Sequence, residues 1–351
     1  MRKNICGIQQ IGVGVRDVNE AWKWYRKAFG MDINVFEDTA TAKLMLPYTN
    51  GKECDRHAAL AMNMEGGGGF EIWQHTSITP KPPCFEVQIG DTGIFINKMK
   101  CRDVRKAYNR YKELEFNILG EISKDPAGNS HFYLKDPYNN IFEIVEEANY
   151  YKEQKSVTGG VAGVVIGVSD IENSMRVYAD ILQYSEVIYD VSDCFGDFSH
   201  LPGGKEKYRR VLLKHKPRTG PFGKLLGPTQ IELVQSLERT PRKIYENRIW
   251  GELGYIHLCF DIQGMEFLQN ECKEKGFPFT VNSANSFDMG SAAGHFSYIA
   301  DADGTLIEFV ETHKLPIIEK LGWYMNLKGR APEKSLPNWM VNTLAFSRIK
   351  D

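Results

Sequence analysis

Apolar residues recur in one arrangement four times along the chain. Residues 8–15 form a short apolar run that ends in an Arg16-Asp17 turn and predicts a strand. Behind it, Ala21, Trp24, Tyr25 and Ala28 fall on one helical stripe. Asp17 can cap that helix by accepting from its first-turn amides, and Gly30 can end it. The same order of strand, turn and stripe returns at Cys101-Arg102-Asp103-Val104, followed by Ala107, Tyr108 and Tyr111. It returns again over 164–171, with Met175 and Tyr178 behind it. A weaker fourth copy runs over 256–262 with Phe267, Leu268 and Cys272, and Gly264 stands at its turn position.

Each copy closes on a strand that carries a glutamate inside an apolar run. These are Phe70-Glu71-Ile72-Trp73, Phe142-Glu143-Ile144-Val145, Ile231-Glu232-Leu233-Val234 and Ile307-Glu308-Phe309-Val310. Other strand candidates lie between start and close, at 58–64, 131–134, 209–213 and 296–299. The chain therefore reads as four βαβββ modules, an α+β fold. The distance from turn to closing glutamate alternates long, short, long, short, which implies a duplicated two-module unit. Residues 1–150 and 160–315 are then two domains, joined by the polar stretch 149–160 that ends in Gly159-Gly160. Residues 316–351 hold Trp323, Tyr324, Trp339, Met340, Leu344 and Phe346 and predict an apolar helical tail. Such a tail packs on the domains or on a second chain, as in a homodimer.

Composition narrows the function classes. Forty-three Lys+Arg against 45 Asp+Glu leave a net charge of −2, with no basic footprint for nucleic acid or an anionic membrane. No apolar run is long enough for a membrane helix, and the first residues lack the apolar core of a signal peptide. Seven widely spaced cysteines without a CxxC predict free thiols in a reducing, cytoplasmic setting. Gly66–Gly69 precedes a strand rather than a helix, so it predicts a turn and not a phosphate loop. Residues 216–229, rich in Gly, Pro, Lys and Arg, read as a surface loop or a mobile lid.

The strand–Asp–helix openings, with the closings Asp-Pro-Tyr-Asn-Asn-Ile-Phe-Glu (136–143) and Asp-Ala-Asp-Gly-Thr-Leu-Ile-Glu (301–308), resemble the vicinal oxygen chelate superfamily. That superfamily includes glyoxalase I, methylmalonyl-CoA epimerase, extradiol dioxygenases and bleomycin-resistance proteins. The resemblance covers about 6–148 and 161–312. It implies two glyoxalase-like domains whose metal ligands sit on the first and last strand of each module. Those positions are Gln10 and Glu71, Ile96 and Glu143, Gly163 and Glu232, and His257 and Glu308. Pairing the modules in chain order leaves both sites short of a ligand. Crossed pairing, first with fourth and second with third, gives the full set Gln10, Glu71, His257 and Glu308, and a second set with no donor at Ile96 or Gly163. The second cleft is then expected to be metal-free or structural.

The resemblance implies one divalent ion (Zn, Ni, Co, Mn or Fe), which mixed carboxylate, amide and imidazole ligands suit. It implies a small substrate that offers vicinal oxygens, with an isomerase, epimerase or lyase reaction through an enediolate. Glu308 would act as the main base and Glu71 as its counterpart. The positions that bind glutathione in the family hold Gly14, His75 and Leu253 here, so a different oxygen-rich substrate is expected. The alternatives are an Fe(II) extradiol-type dioxygenase, which wants two histidines and one carboxylate, and a small-ligand-binding protein without catalysis.

Overall fold

The computed structural model describes residues 2–215, 219–283, 287–289, 292–318, 323–327 and 329–350. Module 1 consists of β1 (Asn4–Gly14), α1 (Val18–Phe29), β2 (Ile33–Thr41), β3 (Asp55–Met62) and β4 (Gly69–His75). Module 2 consists of β5 (Gly93–Cys101), α2 (Val104–Glu113), β6 (Asn117–Lys124), β7 (Ser130–Lys135) and β8 (Ile141–Glu146). Module 3 opens with β9 (Val161–Gly167) and α3 (Ile171–Met175), which runs into a π-helical turn at Arg176–Ile181. It continues through β10 (Glu186–Cys194), β11 (Lys207–Lys214), the short α4 (Gly223–Leu226) and β12 (Gln230–Ser236). Module 4 comprises β13 (Gly254–Gln263), α5 (Met265–Glu274), β14 (Val281–Asn282), β15 (Phe287–Met289), β16 (Ala292–Ala300) and β17 (Leu306–Ile318).

The helix starts follow the repeated turn. Asp17, Asp103 and Asp170 each accept from the backbone N–H three residues on, at 2.9, 2.9 and 2.6 Å, which satisfies an otherwise orphaned donor. Module 4 has no such carboxylate. Gly264 takes a left-handed φ of 87° there, and its N–H donates to Glu311 on β17. The buried stripe of α1 is Val18, Ala21, Trp22, Tyr25, Ala28 and Phe29. Trp24 lies beside that stripe, half-buried, and stacks on Phe116 instead. On α5, Met265, Leu268 and Cys272 face the core while Phe267 is exposed, because 265, 268 and 272 share the inward face.

Strand pairing crosses the halves of the chain. One sheet runs β14-β16-β17-β13-β1-β4-β3-β2, with β15 on β16 and β18 (Trp323–Asn326) on β17. The other runs β10-β11-β12-β9-β5-β8-β7-β6. Modules 1 and 4 therefore build one curled half-barrel, and modules 2 and 3 build the other. At each centre two first strands pair antiparallel, β1 with β13 and β5 with β9. Every first strand lies parallel to the last strand of its own module. The Gly66–Gly69 turn joins the sheets: Gly68 and Val161 exchange backbone hydrogen bonds at 3.0 and 2.8 Å. A Cβ on Gly67 would come within 2.7 Å of the Gly160 backbone, so both chains need glycine where they touch.

The C-terminal stretch is strand before it is helix. β17 continues to Ile318 and β18 pairs back on it, because the backbone extends the sheet edge. Helix follows in α6 (Asn338–Asn342) and a 3₁₀ turn at Thr343–Ser347. Met340 and Val341 pack with Ile33, Met62, Met64, Leu225 and Leu226 of the same chain, while Trp339 and Phe346 are exposed. The side chains of Trp323 and Tyr324 lie outside the described residues. Among the described residues no helix is long and apolar enough to cross a membrane.

Candidate metal centre

Four adjacent strands, in the order β17-β13-β1-β4, carry Glu308, His257, Gln10 and Glu71. Two of these residues come from each half of the chain, and the crossed pairing brings all four together. His257 Nε2 lies 3.2 Å from Glu71 Oε2 and 3.1 Å from Glu308 Oε2. Gln10 Nε2 lies 3.4 and 3.5 Å from the same two oxygens. All four residues are buried, His257 fully. A bulge in the β1–β13 ladder between Ile8 and Gln10 turns Gln10 inward. Gly12 stands opposite His257 and clears its space, since a Cβ there would lie 2.5 Å from the imidazole.

Two carboxylates facing one another in a buried site repel unless a cation lies between them. The His257 imidazole takes part of that role: burial pulls its pKa down, but Glu308 and Glu71 outweigh this and raise it to about 9. Ligating atoms of Glu71, His257 and Glu308 all lie within 4.8 Å of one another. Gln10 Oε1 is buried with no hydrogen-bond partner. Turning the amide over would present that oxygen where Nε2 now meets the carboxylates. One imidazole, two carboxylates and a spare carbonyl suit a divalent first-row metal.

Several neighbours of this centre were not marked by any sequence motif. Trp250, from the loop before β13, lies parallel to the His257 ring at 11°. Tyr298 on β16 sits edge-on to His257, with its hydroxyl 3.5 Å from Nδ1. Tyr298 pairs with Glu308 across the β16–β17 ladder, so strand alternation in 296–299 was the signal that could have found it. Glu71 and Glu308 open into a cavity of about 430 Å³ walled by Phe36, Trp73, Trp250 and Phe296. Arg56 lies over Trp73 and pairs with Asp38 at its rim. On the other side, Phe222, Leu225 and Leu226 close a smaller apolar space of about 110 Å³. The 216–229 stretch is therefore a packed cover where it is described, and 216–218 lie outside the described residues. His75, a family glutathione position, instead meets the Trp250 carbonyl at 2.9 Å.

The second half-barrel contrasts with the first. Ile96 and Gly163 offer no donor, and Lys98 reaches between the two glutamates. Its Nζ donates to Glu143 Oε2 at 2.6 Å and to Glu232 Oε2 at 2.7 Å. In ladder register Lys98 matches Gly12 and Gly163 matches His257, so the large side chain has moved to the opposite strand. Arg210 pairs with Glu232 and Asp197 at 2.6 and 2.7 Å, and His131 lies 2.8 Å from Glu143. Three basic groups thus face three carboxylates. Burial raises the carboxyl of Glu143, but Lys98 and His131 outweigh it and hold it low. For Glu232, Arg210 and Lys98 outweigh burial in the same direction.

One pH effect arises here. Burial lowers the His131 pKa, but Glu143 and Asp197 reverse this and raise it to about 9. A raised histidine contributes stability that is full below its unfolded pKa, near 6.5, and lost as pH climbs through its folded value. Stability against denaturant should therefore fall between about pH 6.5 and about pH 9, by up to about 3 kcal/mol for this residue. His131→Gln should flatten that slope. An unchanged pH profile in the variant would show that His131 is not protonated in the fold.

Residues 7–144 match the family model of the Glyoxalase/Bleomycin resistance protein/Dioxygenase superfamily. That stretch holds modules 1 and 2, less than half of the chain. Glyoxalase I from Zea mays is similar in structure, with a TM-score of 0.52 at 15% identity over 88% of this chain and 92% of that one. A Bacillus subtilis protein with a proposed dioxygenase assignment gives a TM-score of 0.56 at 13% identity, over 88% and 86%. At such identities the likeness is one of fold. No curated protein sequence matches. The whole chain thus has the tandem vicinal oxygen chelate fold, built from four modules.

Proposed function

We propose that the chain is a metal-dependent isomerase, epimerase or lyase of the glyoxalase type, with one divalent ion held by Gln10, Glu71, His257 and Glu308. The observation that carries this reading is the convergence of those four side chains, with an unpartnered Gln10 Oε1, beneath a cavity open to small molecules. Bound there, a metal would polarise two adjacent oxygens of a substrate. Glu308 and Glu71 then serve to take and return a proton at neighbouring carbons from opposite sides of the pocket. The Tyr298 hydroxyl beside Glu308 supports Glu308 as the main base, because a nearby donor steadies a carboxylate as its charge changes. Aromatic walls give the reacting carbons an apolar surround.

Glutathione fits this pocket poorly. Gly14 stands where the family carries an arginine, and a Cβ there would lie 2.0 Å from the Glu252 carbonyl oxygen. No larger side chain fits without moving that loop. An oxygen-rich acid, a keto sugar or an acyl thioester suits the cavity better. The single imidazole speaks against extradiol chemistry, and oxygen uptake on a catechol panel would reopen that reading.

Metal titration of two variants tests the centre. His257→Ala should lose affinity by about 100-fold or more, and Gln10→Ala by roughly tenfold, since each removes a direct ligand. Equal affinity in wild type and Gln10→Ala would remove Gln10 from the ligand set and leave Glu71, His257 and Glu308. A wild-type protein that takes up no divalent ion would favour a ligand-binding role. Solvent-deuterium exchange into α-hydroxycarbonyl compounds and thioesters would then identify the substrate class.

A further inference from the structure

A separate cavity of about 610 Å³ opens where the linker between the halves, the end of β11, the α4 segment and the C-terminal helix meet. Three lysines line it, one from each of three elements: Lys100 on β5, Lys214 on β11 and Lys224 on α4. Among the described residues the one carboxylate lining it is Glu186, and Glu147 stands 4.0 Å from Lys214. The cavity therefore carries an excess of positive charge inside a protein whose net charge is −2.

Lys100 is the unusual member. It is only 2% exposed, and Gly159 leaves room for it, since a Cβ there would lie 2.6 Å from its Cε. Its Nζ donates to the Asn149 carbonyl at 2.8 Å and lies 4.7 Å from the Tyr150 ring centre. Among the described residues no carboxylate pairs with it directly. Glu147 and Glu65 attract it only from beyond contact distance and do not offset its burial, so an apolar side chain would fill the same space at less expense. Lys224 is exposed and, among the described residues, donates to Asn338 Oδ1 at 3.3 Å, a weak surface bond that it can give up to turn to a ligand.

We propose that this cavity is a second binding site, for a phosphate group, either free phosphate or a small phosphate monoester. Three ammonium donors outnumber the lining Glu186 and the nearby Glu147, which leaves a positive excess suited to a phosphate anion, and lysine serves phosphate as a point charge. The volume admits a ligand of metabolite size. Burial lowers the Lys100 pKa to about 8, and a bound dianion would raise it again, so binding takes up a proton at and above about pH 8. The opposite face of the α4 segment, through Leu225 and Leu226, closes the apolar space beside Gln10 and Glu308. The site is thus distinct from the metal centre, although one segment borders both.

Calorimetric titration with inorganic phosphate, glycerol phosphate and malonate, at constant ionic strength against sodium chloride, tests the proposal. Saturable binding of one phosphate or phosphate ester per chain is expected, weakened about tenfold or more in Lys100→Met and in Lys224→Gln. The tighter of the two phosphate ligands identifies the source. Affinity should fall above about pH 8, with proton uptake seen as a buffer-dependent heat. If Lys100→Met does not fold, Lys224→Gln, on the exposed side of α4, still decides the matter. No saturable heat, a response equal to that of chloride, an unchanged affinity in Lys224→Gln, or tighter binding of malonate would each overturn the assignment.

Discussion

Lys98→Met is expected to destabilise the protein by about 3–5 kcal/mol, because it leaves Glu143 and Glu232 facing one another without their shared cation. The ammonium lies within 2.7 Å of both carboxylates, and all three side chains are almost fully buried. Water cannot replace the lost charge at that depth, so one glutamate must take up a proton or the half-barrel must open. Removing one charge of each sign should be far milder. The double variant Lys98→Met, Glu143→Gln leaves Arg210 and His131 against Glu232 and Asp197, so it should recover much of the loss. Denaturant midpoints of the single and double variants check this. A single variant within about 1 kcal/mol of wild type would mean that the glutamates are solvated or protonated in solution.

The repeat was legible because its parts are local. A capping aspartate, a helical stripe and a glutamate-bearing strand each follow from neighbouring residues, and Asp17, Asp103 and Asp170 all cap as their positions suggest. Gly264 broke the pattern yet kept the geometry, because a left-handed residue reaches the same turn without a carboxylate. The tail was harder to read. Its aromatic residues suggested helix throughout, but the edge of β17 offered unpaired backbone groups that β18 satisfies, and edge pairing is a tertiary matter. The family resemblance implied ligand positions and a crossed pairing, which the repeat mapped onto Gln10, Glu71, His257 and Glu308, whereas Trp250, Arg56 and Tyr298 reach the same pocket from other parts of the chain.

The second cleft shows why position alone is not enough. Ile96 and Gly163 mark it as short of ligands, but nothing in their spacing announces Lys98. That residue works from the register position that Gly12 occupies in the first half-barrel, where a side chain would collide with His257. Exchanging glycine and a large side chain across one strand pair changes a candidate metal site into an ion-pair core while the backbone stays the same.

Glu308→Gln is expected to reduce turnover of the identified substrate by at least about 10²–10⁴-fold, the usual contribution of a positioned general base. Glutamine keeps the shape of the side chain and a carbonyl oxygen for a metal, but it cannot take a proton at neutral pH. Metal affinity should therefore fall only partly, since Gln10, Glu71 and His257 remain and a charged ligand has become a neutral one. Glu71→Gln separates the two carboxylates: if the reaction starts on the Glu308 side, proton exchange into substrate persists there while full turnover drops. Tyr298→Phe adds a third readout, because losing a hydroxyl beside Glu308 should shift the pH profile of turnover without removing the metal. Full metal occupancy together with turnover within about threefold of wild type in Glu308→Gln would remove Glu308 as the base.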